Sequence, residues 1–447
     1  MKLVERNLFR FRRREAEGMC ERRKRDEFRS TMLCSAALLC TALTTCAVSA
    51  AEPEGGLLID IAHAGVEARL AGVAADGLFT FQVGTQARRV PADELVAWGA
   101  PVEPRDSPQV ILTDGSLLVV RDVLKTDEGR VLLDSDAFGE FALPRSAIAA
   151  ILLHPPIDPQ RRDRLAGRFT PSPRQEGEPA SPARPSPSSD RLLLENGDEL
   201  VGRITAVTDS GVEFAADIGP LTVDRQRIIA LAFSLPPFAV RKDDVARSER
   251  RPSPRLLLVG LRDGSVFHAS ALTMDQDQMR AELFDRVKVV APAQAVVFAQ
   301  TLGGRATYLS NLEPESYRHL PYLSLAWPYR LDANVTGTRL RAGGRIYAKG
   351  IGIHSTARLT FRLEKPYRRF EADLAIDDQT QRRGSVVFRV LAGPREIYKS
   401  GVVRGGDPPL PISVNVSGVN QLSLVVDYAD RADELDHADW LNARLIE

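Results

Sequence analysis

The hydrophobic positions of residues 55–300 fall into short runs that are separated by glycine turns. Four stretches share one plan: a β-branched or Leu-rich run comes first, a tight turn follows, and a second apolar run closes the stretch. The turn lies 26 to 30 residues before the closing segment in each stretch, which indicates one supersecondary unit in four copies. Asp-Gly and Asn-Gly pairs favour hairpin turns because both residues tolerate a positive φ. The three clearest turns are Asp114-Gly115, Asn196-Gly197 and Asp263-Gly264.

Each copy has room for five short strands in about 45 residues, which predicts small, strongly bent barrels. The copies resemble Sm-like small β-barrels at the level of the fold only. They lack clusters of Lys and Arg with interleaved aromatic residues, so we expect no nucleic-acid partner. Nothing in them groups catalytic side chains, and we interpret them as a scaffold or an interaction array for other envelope proteins. The predicted copies span 55–100 (a degenerate one), 108–155, 190–238 and 255–300.

Two segments between the copies have a different composition. Residues 156–189 are rich in Pro, Ser and charged residues, and residues 239–254 are similar but shorter. Such segments bury too little apolar surface to offset the entropy of ordering. We therefore predict two disordered linkers.

The pattern changes at about residue 305. Strand-like alternation follows, with Val386, Phe388 and Val390 on one face and Ser385 and Arg389 on the other. Gly and Asp occupy the turns between these runs. The pattern predicts an antiparallel β-sandwich of jelly-roll type, and the fold class of the whole chain is therefore all-β.

The charge distribution adds a prediction about location. The formal net charge is zero, but residues 1–30 carry an excess of Lys and Arg, and residues 31–50 carry no charge. This order, together with small residues before Ala51, predicts a signal peptide over 1–50 and an exported protein that is periplasmic, envelope-bound or secreted. An uncleaved N-terminal anchor is the alternative, and it is the one arrangement in which we expect membrane contact. All four cysteines precede residue 50, so the predicted folded part has no disulfide or thiolate ligand.

The segment DELDHADW, residues 433–440, holds the densest candidate chemistry. A glycosidase needs two carboxyls that flank one bond, and near-adjacent acids in a short loop rarely do so. Carboxylates are hard oxygen ligands, so a structural calcium ion at Asp436 and Asp439 is a second hypothesis. A sugar is the third, because carboxylates and imidazoles bind hydroxyl pairs and an aromatic ring packs on the C–H face. Trp440 is either such a platform or a core residue.

Several motifs of residues 305–447 resemble the NPCBM family of carbohydrate-binding modules. They are KGIGIHS, an Asp pair before GSVVFRV, IYKSG, SVNVSG and DHADW, in this order. The resemblance implies a galactose-binding-like sandwich and a glycan partner, which for some members of the family is a galactose-type sugar. Where the family commonly has an Asp-Gly turn, this chain has residues 391–394, so the sugar specificity does not carry over. The implied carbohydrate-binding residues are His354, Asp377, Asp378, His437, Asp439 and Trp440.

These observations lead to one interpretation and two alternatives. We expect an exported, non-catalytic protein whose C-terminal module binds a glycan. The first alternative is an envelope scaffold without sugar binding, and the second is a glycoside hydrolase that uses the Asp cluster. No unassigned region of ~200 residues remains for a catalytic domain.

Overall fold

The computed structural model describes seven ranges of the chain, all of them after residue 54. The predicted signal peptide or anchor and the predicted linker 239–254 lie outside these ranges. Residues 52–447 belong to one structural unit. The described ranges are 55–62, 65–126, 129–170, 189–208, 210–234, 256–283 and 286–447.

All four copies have the same strand order. The first strand of each copy pairs with the second and the fifth, the second with the third, and the third with the fourth. In the second copy the second strand is interrupted and forms two short strands. The strands of the first and second copies are β1 (Gly56–Asp60), β2 (Val66–Val73), β3 (Leu78–Val83), β4 (Gln86–Pro91), β5 (Leu95–Gly99), β6 (Gln109–Leu112), β7 (Leu117–Val119), β8 (Asp122–Thr126), β9 (Arg130–Ser135), β10 (Gly139–Pro144) and β11 (Ile148–Leu152). Those of the third and fourth copies are β12 (Asp190–Leu194), β13 (Glu199–Val207), β14 (Gly211–Ala216), β15 (Gly219–Asp224), β16 (Ile228–Ala232), β17 (Leu256–Leu261), β18 (Val266–Met274), β19 (Gln278–Leu283), β20 (Lys288–Pro292) and β21 (Val296–Leu302).

The predicted turns have the backbone conformation that their residues favour. Gly115, Gly197 and Gly264 have φ values of 88°, 89° and 92°, a region that L side chains rarely adopt. Each of these glycines lies between the first and second strands of its copy. A single 3₁₀ turn leads into the last strand of the second, third and fourth copies. The similar local geometry supports the interpretation that the copies are one repeated unit.

The copies pair through their last strands. Strand β5 lies antiparallel to β21, with Trp98 opposite Ala299, and β11 lies antiparallel to β16, with Ile151 opposite Leu231. The second strands meet in the same two combinations, β2 with β18 and β8 with β13. The first copy therefore pairs with the fourth, and the second pairs with the third.

The two pairs meet at the hairpin turns of the second and fourth copies. Ser116 Oγ accepts a hydrogen bond from His268 N at 2.9 Å, and Ser265 Oγ accepts one from Val119 N at 2.8 Å. The two bonds are reciprocal because Ser116 and Ser265 follow the same Asp-Gly turn in their copies. Strands β7 and β18 also pair at this point. The array is thus continuous, in the order first, fourth, second and third copy.

The predicted linker 156–189 is helical in part, so the prediction of a disordered segment was wrong for that part. Helix α1 (Pro159–Phe169) begins after Asp158, whose side chain accepts a hydrogen bond from Arg161 N at 2.7 Å. Leu165, Ala166 and Phe169 share one face of the helix and pack on the second and third copies. Few apolar residues are sufficient here because the array already presents an apolar surface. No helix in the described ranges has the length and apolarity needed to cross a membrane.

The prediction of a C-terminal β-sandwich is confirmed. One sheet has the order β24-β27-β34-β29-β32, with β22 beside β34, and the other has the order β23-β28-β33-β30-β31. Val386, Phe388 and Val390 are fully buried between the sheets, as their alternation predicts. The strands are β22 (Ala306–Tyr308), β23 (Ser316–His319), β24 (Arg330–Leu331), β25 (Leu340–Ala342), β26 (Arg345–Tyr347), β27 (Gly350–His354), β28 (Ala357–Arg362), β29 (Arg369–Ile376), β30 (Ser385–Ala392), β31 (Arg395–Arg404), β32 (Leu410–Asn415), β33 (Gln421–Tyr428) and β34 (His437–Ile446).

The sandwich packs directly on the array. Phe298 and Leu302 of β21 form one apolar cluster with Tyr308 and Ile446 of the sandwich. The Tyr308 hydroxyl donates a hydrogen bond to the carbonyl oxygen of Val96 at 3.2 Å. The sandwich is therefore held against the first and fourth copies by apolar contact and by hydrogen bonds.

Candidate functional site

Two buried imidazoles lie side by side at one end of the sandwich. His354 is the last residue of β27 and His437 is the first residue of β34, and the antiparallel register places them opposite each other. Their ring centroids are 5.8 Å apart. The structure therefore brings together two of the residues that the sequence predicted for the site.

An indole and a third imidazole complete this group. Trp327 stacks on His354 with a centroid distance of 4.9 Å and an interplanar angle of 4°, and its ring lies 5.6 Å from that of His437. His319 meets His354 edge-on at 5.9 Å. Trp327 and His319 are partly exposed, whereas His354 and His437 are buried. We call these four residues the imidazole–indole cluster.

The hydrogen bonds of the cluster determine which ring nitrogens carry protons. The Nδ1 of His354 lies 2.7 Å from the Ser355 carbonyl oxygen and the Nε2 of His319 lies 3.1 Å from the same oxygen. A carbonyl only accepts, so both nitrogens donate. The amide nitrogen of Gln379 donates to His437 Nδ1 at 3.2 Å, which places the proton of a neutral His437 on Nε2.

The Nε2 atoms of His354 and His437 are the ring nitrogens that remain for a ligand. The Nε2 of His354 is left as an acceptor, and the Nε2 of His437 is left as a donor. Among the described residues, neither Nε2 atom has a hydrogen-bond partner. The pair thus presents one unpaired donor and one unpaired acceptor beside the partly exposed ring of Trp327.

Both imidazoles are neutral at neutral pH. Burial, followed by the repulsion from His354, lowers the pKa of His437 to about 4. Burial also lowers the pKa of His354, although its bond to Ser355 opposes this effect. A neutral imidazole can act as both donor and acceptor, whereas an imidazolium only donates. The site is therefore suited to hydroxyl groups rather than to anions.

Asp436 is hydrogen-bonded to the residue that contacts two rings of the cluster, Ser355. Its two carboxylate oxygens accept hydrogen bonds from the Ser355 hydroxyl at 2.6 Å and from Ser385 N at 2.8 Å. Burial raises the pKa of Asp436 to about 6. Because Ser355 also accepts the bonds from His354 and His319, Asp436 helps to position both rings.

The two carboxylates of the predicted calcium site have different partners. Both oxygens of Asp436 are occupied by protein donors, while Asp439 lies on β34 beside Asp377. Burial and the charge of Asp377 raise the pKa of Asp439 well above its usual range, which favours a shared proton between the two carboxyls. Within the described ranges, no group of three or more His, Cys, Asp or Glu side chains is arranged to hold a metal ion.

Two further predicted residues serve the interior of the sandwich. Trp440 has no exposed surface and packs edge-on against Phe388, with centroids 5.0 Å apart. A ring without an exposed face cannot stack on a sugar, so the structure favours the core interpretation of Trp440. Asp377 is buried and accepts from the backbone of Arg341 and Gln379.

Asp378 lies at a different place from the cluster. Its carboxylate accepts hydrogen bonds from Gly343 N at 3.1 Å and Gly344 N at 2.8 Å, at the turn between β25 and β26. The side chain therefore stabilises this hairpin. Sequence reasoning missed Trp327, His319 and Gln379. The signal for the first two was the aromatic-rich run HLPYLSLAWPY in a chain with only 6% aromatic residues.

In the comparison with known families, residues 305–446 match the model of the NPCBM/NEW2 domain. The chain is 38% identical over 117 residues to alpha-1,3-galactosidase B of Akkermansia muciniphila, a match that covers 25% of this chain and 15% of that protein. The match thus spans only a small part of that relative's length.

Solved structures with similarity to the chain include two modules from Clostridium perfringens. One is the CBM51 of GH95 in complex with methyl-galactose, with 26% identity, 31% of this chain and 99% of that chain covered, and a TM-score of 0.29. The other is CBM51-2 of ZmpB in complex with GlcNAc, with 23% identity, 39% and 38% covered, and a TM-score of 0.30.

Proposed function

We propose that the NPCBM/NEW2 domain binds a neutral sugar at the imidazole–indole cluster. The observation that supports this most strongly is the pair of Nε2 atoms on His354 and His437, one an acceptor and one a donor, which have no hydrogen-bond partner among the described residues. Two neighbouring hydroxyls of a sugar satisfy such a pair, because each hydroxyl donates one hydrogen bond and accepts others. Trp327 adds an apolar surface for the C–H face of the ring.

We further propose that the protein is exported and does not catalyse glycan hydrolysis. Two carboxyls of the segment DELDHADW have structural roles: Asp436 accepts hydrogen bonds from Ser355 Oγ and Ser385 N, and Asp439 is buried beside Asp377. A glycosidase needs an acid and a second carboxylate that reach the bond from both sides. The proposal of export rests on the basic and uncharged segments at the start of the sequence.

A glycan array with the full chain tests the proposal, followed by calorimetric titration with methyl galactoside. We expect His437→Ala and Trp327→Ala to weaken binding at least about tenfold, because each removes a direct contact. His154→Ala is a matched control, since this imidazole lies in the array and contacts the Ile228 carbonyl oxygen. Binding that survives both cluster substitutions would contradict the location of the site. A protein that binds no glycan would favour the scaffold alternative.

Gln379 provides a sharper test of the donor–acceptor pair. Glu at this position offers His437 Nδ1 only acceptor atoms, so it favours the tautomer with a proton on Nδ1 and removes the donor at Nε2. We expect Gln379→Glu to weaken sugar binding, while Gln379→Met, which leaves the tautomer unspecified, has a smaller effect. ¹⁵N chemical shifts of the imidazole report the tautomer directly. An unchanged tautomer with lost binding would contradict this role of Gln379.

A further inference from the structure

An exposed apolar loop extends from the imidazole–indole cluster. It comprises residues 320–326, between β23 and β24, and its sequence LPYLSLA contains no charged residue. Leu320 is 53% exposed, Tyr322 59%, Leu323 84% and Leu325 64%. Four large apolar side chains on one short loop form a larger exposed surface than soluble proteins usually leave without a use. A single exposed leucine needs no explanation, but four exposed apolar side chains within seven residues do.

The base of the loop is attached to the cluster itself. Leu320 N donates to the Thr356 carbonyl oxygen at 2.9 Å, and Trp327 N donates to His319 Nδ1 at 3.3 Å. The Tyr317 hydroxyl also donates to the Trp327 carbonyl oxygen at 2.7 Å. The loop is therefore flanked by His319 and Trp327, two members of the cluster that are hydrogen-bonded to each other, while its apolar side chains face solvent. A ligand in the cluster has this loop as its neighbour.

A second strand contributes an exposed ring to the same surface. Tyr428, the last residue of β33, is 52% exposed and meets Tyr322 edge-on, with centroids 6.4 Å apart and an interplanar angle of 76°. A tyrosine combines an apolar ring with a hydroxyl that forms hydrogen bonds. A sugar has the complementary surface, with C–H groups on its face and hydroxyls at its rim.

The surrounding charges favour a neutral ligand. On the strands and loops beside Tyr428, Arg389 pairs with Asp427 at 3.1 Å, Arg404 pairs with Asp430 at 2.8 Å, and Arg383 lies 3.5 Å from Glu434. Binding to an anionic membrane depends on basic groups that are available to lipid headgroups. These three arginines are instead neutralised by acids of the same domain.

We infer that Tyr322, Tyr428 and the leucines of the loop hold the second sugar unit of an oligosaccharide whose terminal unit occupies the imidazole–indole cluster. This inference rests on the proposed function and extends it, because it specifies the ligand class as an oligosaccharide rather than a single sugar. Its support is the continuity of the loop with the cluster, the absence of charge on the loop and the exposed tyrosine pair. The loop thus acts as a specificity-determining surface, and the cluster binds the terminal unit.

Paired titrations of the full chain test the inference. The two probes are methyl α-galactoside and the disaccharide galactosyl-α-1,3-galactose, and the measured quantity is the ratio of their dissociation constants. We expect the wild type to bind the disaccharide about three- to tenfold more tightly, the range expected for one aromatic contact. Tyr322→Ala and Tyr428→Ala should reduce this ratio towards one and leave the affinity for the methyl galactoside unchanged. Leu410→Ala, on β32 of the other sheet, is the control for loss of an exposed apolar side chain.

Other outcomes separate the two proposals. If the tyrosine variants keep the wild-type ratio, or weaken both probes equally, the inference is overturned while the proposed function stands. If vesicles of phosphatidylcholine and phosphatidylglycerol bind the wild type and lose binding in Tyr322→Ala, with the ratio unchanged, the loop contacts lipid and the inference is overturned. If the wild type binds neither probe and no glycan on the array, the proposed function itself fails. Thermal melts of each variant check that the exposed substitutions leave the fold intact.

Discussion

The two pairs of copies in the array use the same strand pairing but have different covers. In the first–fourth pair, Phe298 and Leu302 are covered by the sandwich. In the second–third pair, the corresponding apolar side, which includes Ile111 and Leu152, is covered by helix α1. A repeated unit leaves the same apolar side exposed in each pair, so each pair needs a cover. A complete domain and a single short helix both satisfy this need.

The two covers also contact each other. Asp163 of α1 is buried and accepts a hydrogen bond from the guanidinium of Arg341 at 2.7 Å and from Arg339 N at 3.1 Å, while Arg162 and Arg341 both pair with Glu103. Arg341 belongs to β25 of the sandwich, and its backbone N also binds Asp377. The helix therefore connects the second–third pair to the sandwich, and the sandwich connects to the first–fourth pair. This arrangement explains why residues 52–447 form one unit.

The largest expected effect is at the contact between the array and the sandwich. Phe298→Ala removes an aromatic ring that is shared by the array and the sandwich, and we expect a loss of about 3–5 kcal/mol in the free energy of unfolding. Leu165→Ala on the partly buried face of α1 should cost less, about 1–2 kcal/mol, because it removes less buried surface. Urea denaturation measures both. Equal losses would contradict the difference between the two covers.

The contact between the covers gives the second prediction. Asp163→Ala leaves Arg339 without its acidic partner and Arg341 with Glu103 alone, and we expect a loss of about 2–3 kcal/mol. Since the ion pairs hold the helix to the sandwich, limited proteolysis should also cleave near α1 faster than in the wild type. Arg168→Ala is a suitable control, because this arginine pairs with Glu199 at a more exposed place. If the stability and the cleavage rate are both unchanged, the ion pairs of Asp163 do not stabilise the packing of the helix on the sandwich.

The third prediction concerns the response of the sandwich to pH. The sandwich contains Asp439, whose pKa is raised in the folded state because it is buried and lies beside the carboxyl of Asp377. A raised carboxyl pKa means that the folded state retains a proton which the unfolded state loses. Stability is therefore highest below the unfolded pKa of about 3.9 and falls by about 1.4 kcal/mol per pH unit above it, until Asp439 ionises in the folded state.

Asp439→Asn should remove the part of this dependence that comes from Asp439, while the buried carboxyl of Asp436, whose pKa is also raised, still contributes. Asn is neutral at all these pH values and still offers a hydrogen bond to Asp377, so we expect the variant to be more stable than the wild type at pH 7 but not at pH 4. Denaturation series at several pH values provide the comparison. If the stability of the two proteins changes in parallel with pH, the pKa of Asp439 does not differ between the folded and the unfolded state.

The smallest expected effects are at the junction between the two pairs. Ser116→Ala and Ser265→Ala each remove one acceptor of the reciprocal hydrogen bonds to His268 N and Val119 N. We expect a loss of about 0.5–1.5 kcal/mol for each substitution. The reciprocal geometry predicts similar losses, although Ser116 also lies 3.3 Å from the His268 ring. A large difference between the two variants would show that the junction is not symmetrical in energy.

Much of the fold could be predicted from local features. The turn glycines identified the repeated copies, because a tight turn with positive φ depends on the turn residues themselves. These glycines are Gly115, Gly197 and Gly264. The alternation of Val386, Phe388 and Val390 marked the buried face of a sandwich strand, because successive side chains of a strand point to opposite sides. The His354 and His437 pair was predicted from family motifs.

Other features depend on partners that are distant in the sequence. Similar copies have similar edges, so the pairing of the first copy with the fourth could not be deduced from their sequences. Residues 159–169 contain few apolar side chains, and they are helical because the second and third copies supply an apolar surface for Leu165 and Phe169. Trp327 was missed because its stacking on His354 joins two segments that are separate in sequence.

The positions of strands and turns, the repeated segments and the apolar faces follow from local sequence, because backbone preferences and side-chain periodicity act over a few residues. The pairing of the copies, the segment that covers each pair, and the placement of Trp440 inside the sandwich and of Trp327 at the cluster emerge only in the folded chain. Burial and hydrogen-bond partners are properties of contacts between segments that are distant in sequence. Two tryptophans of the same chemistry therefore have different roles, a core residue and a surface residue beside two imidazoles.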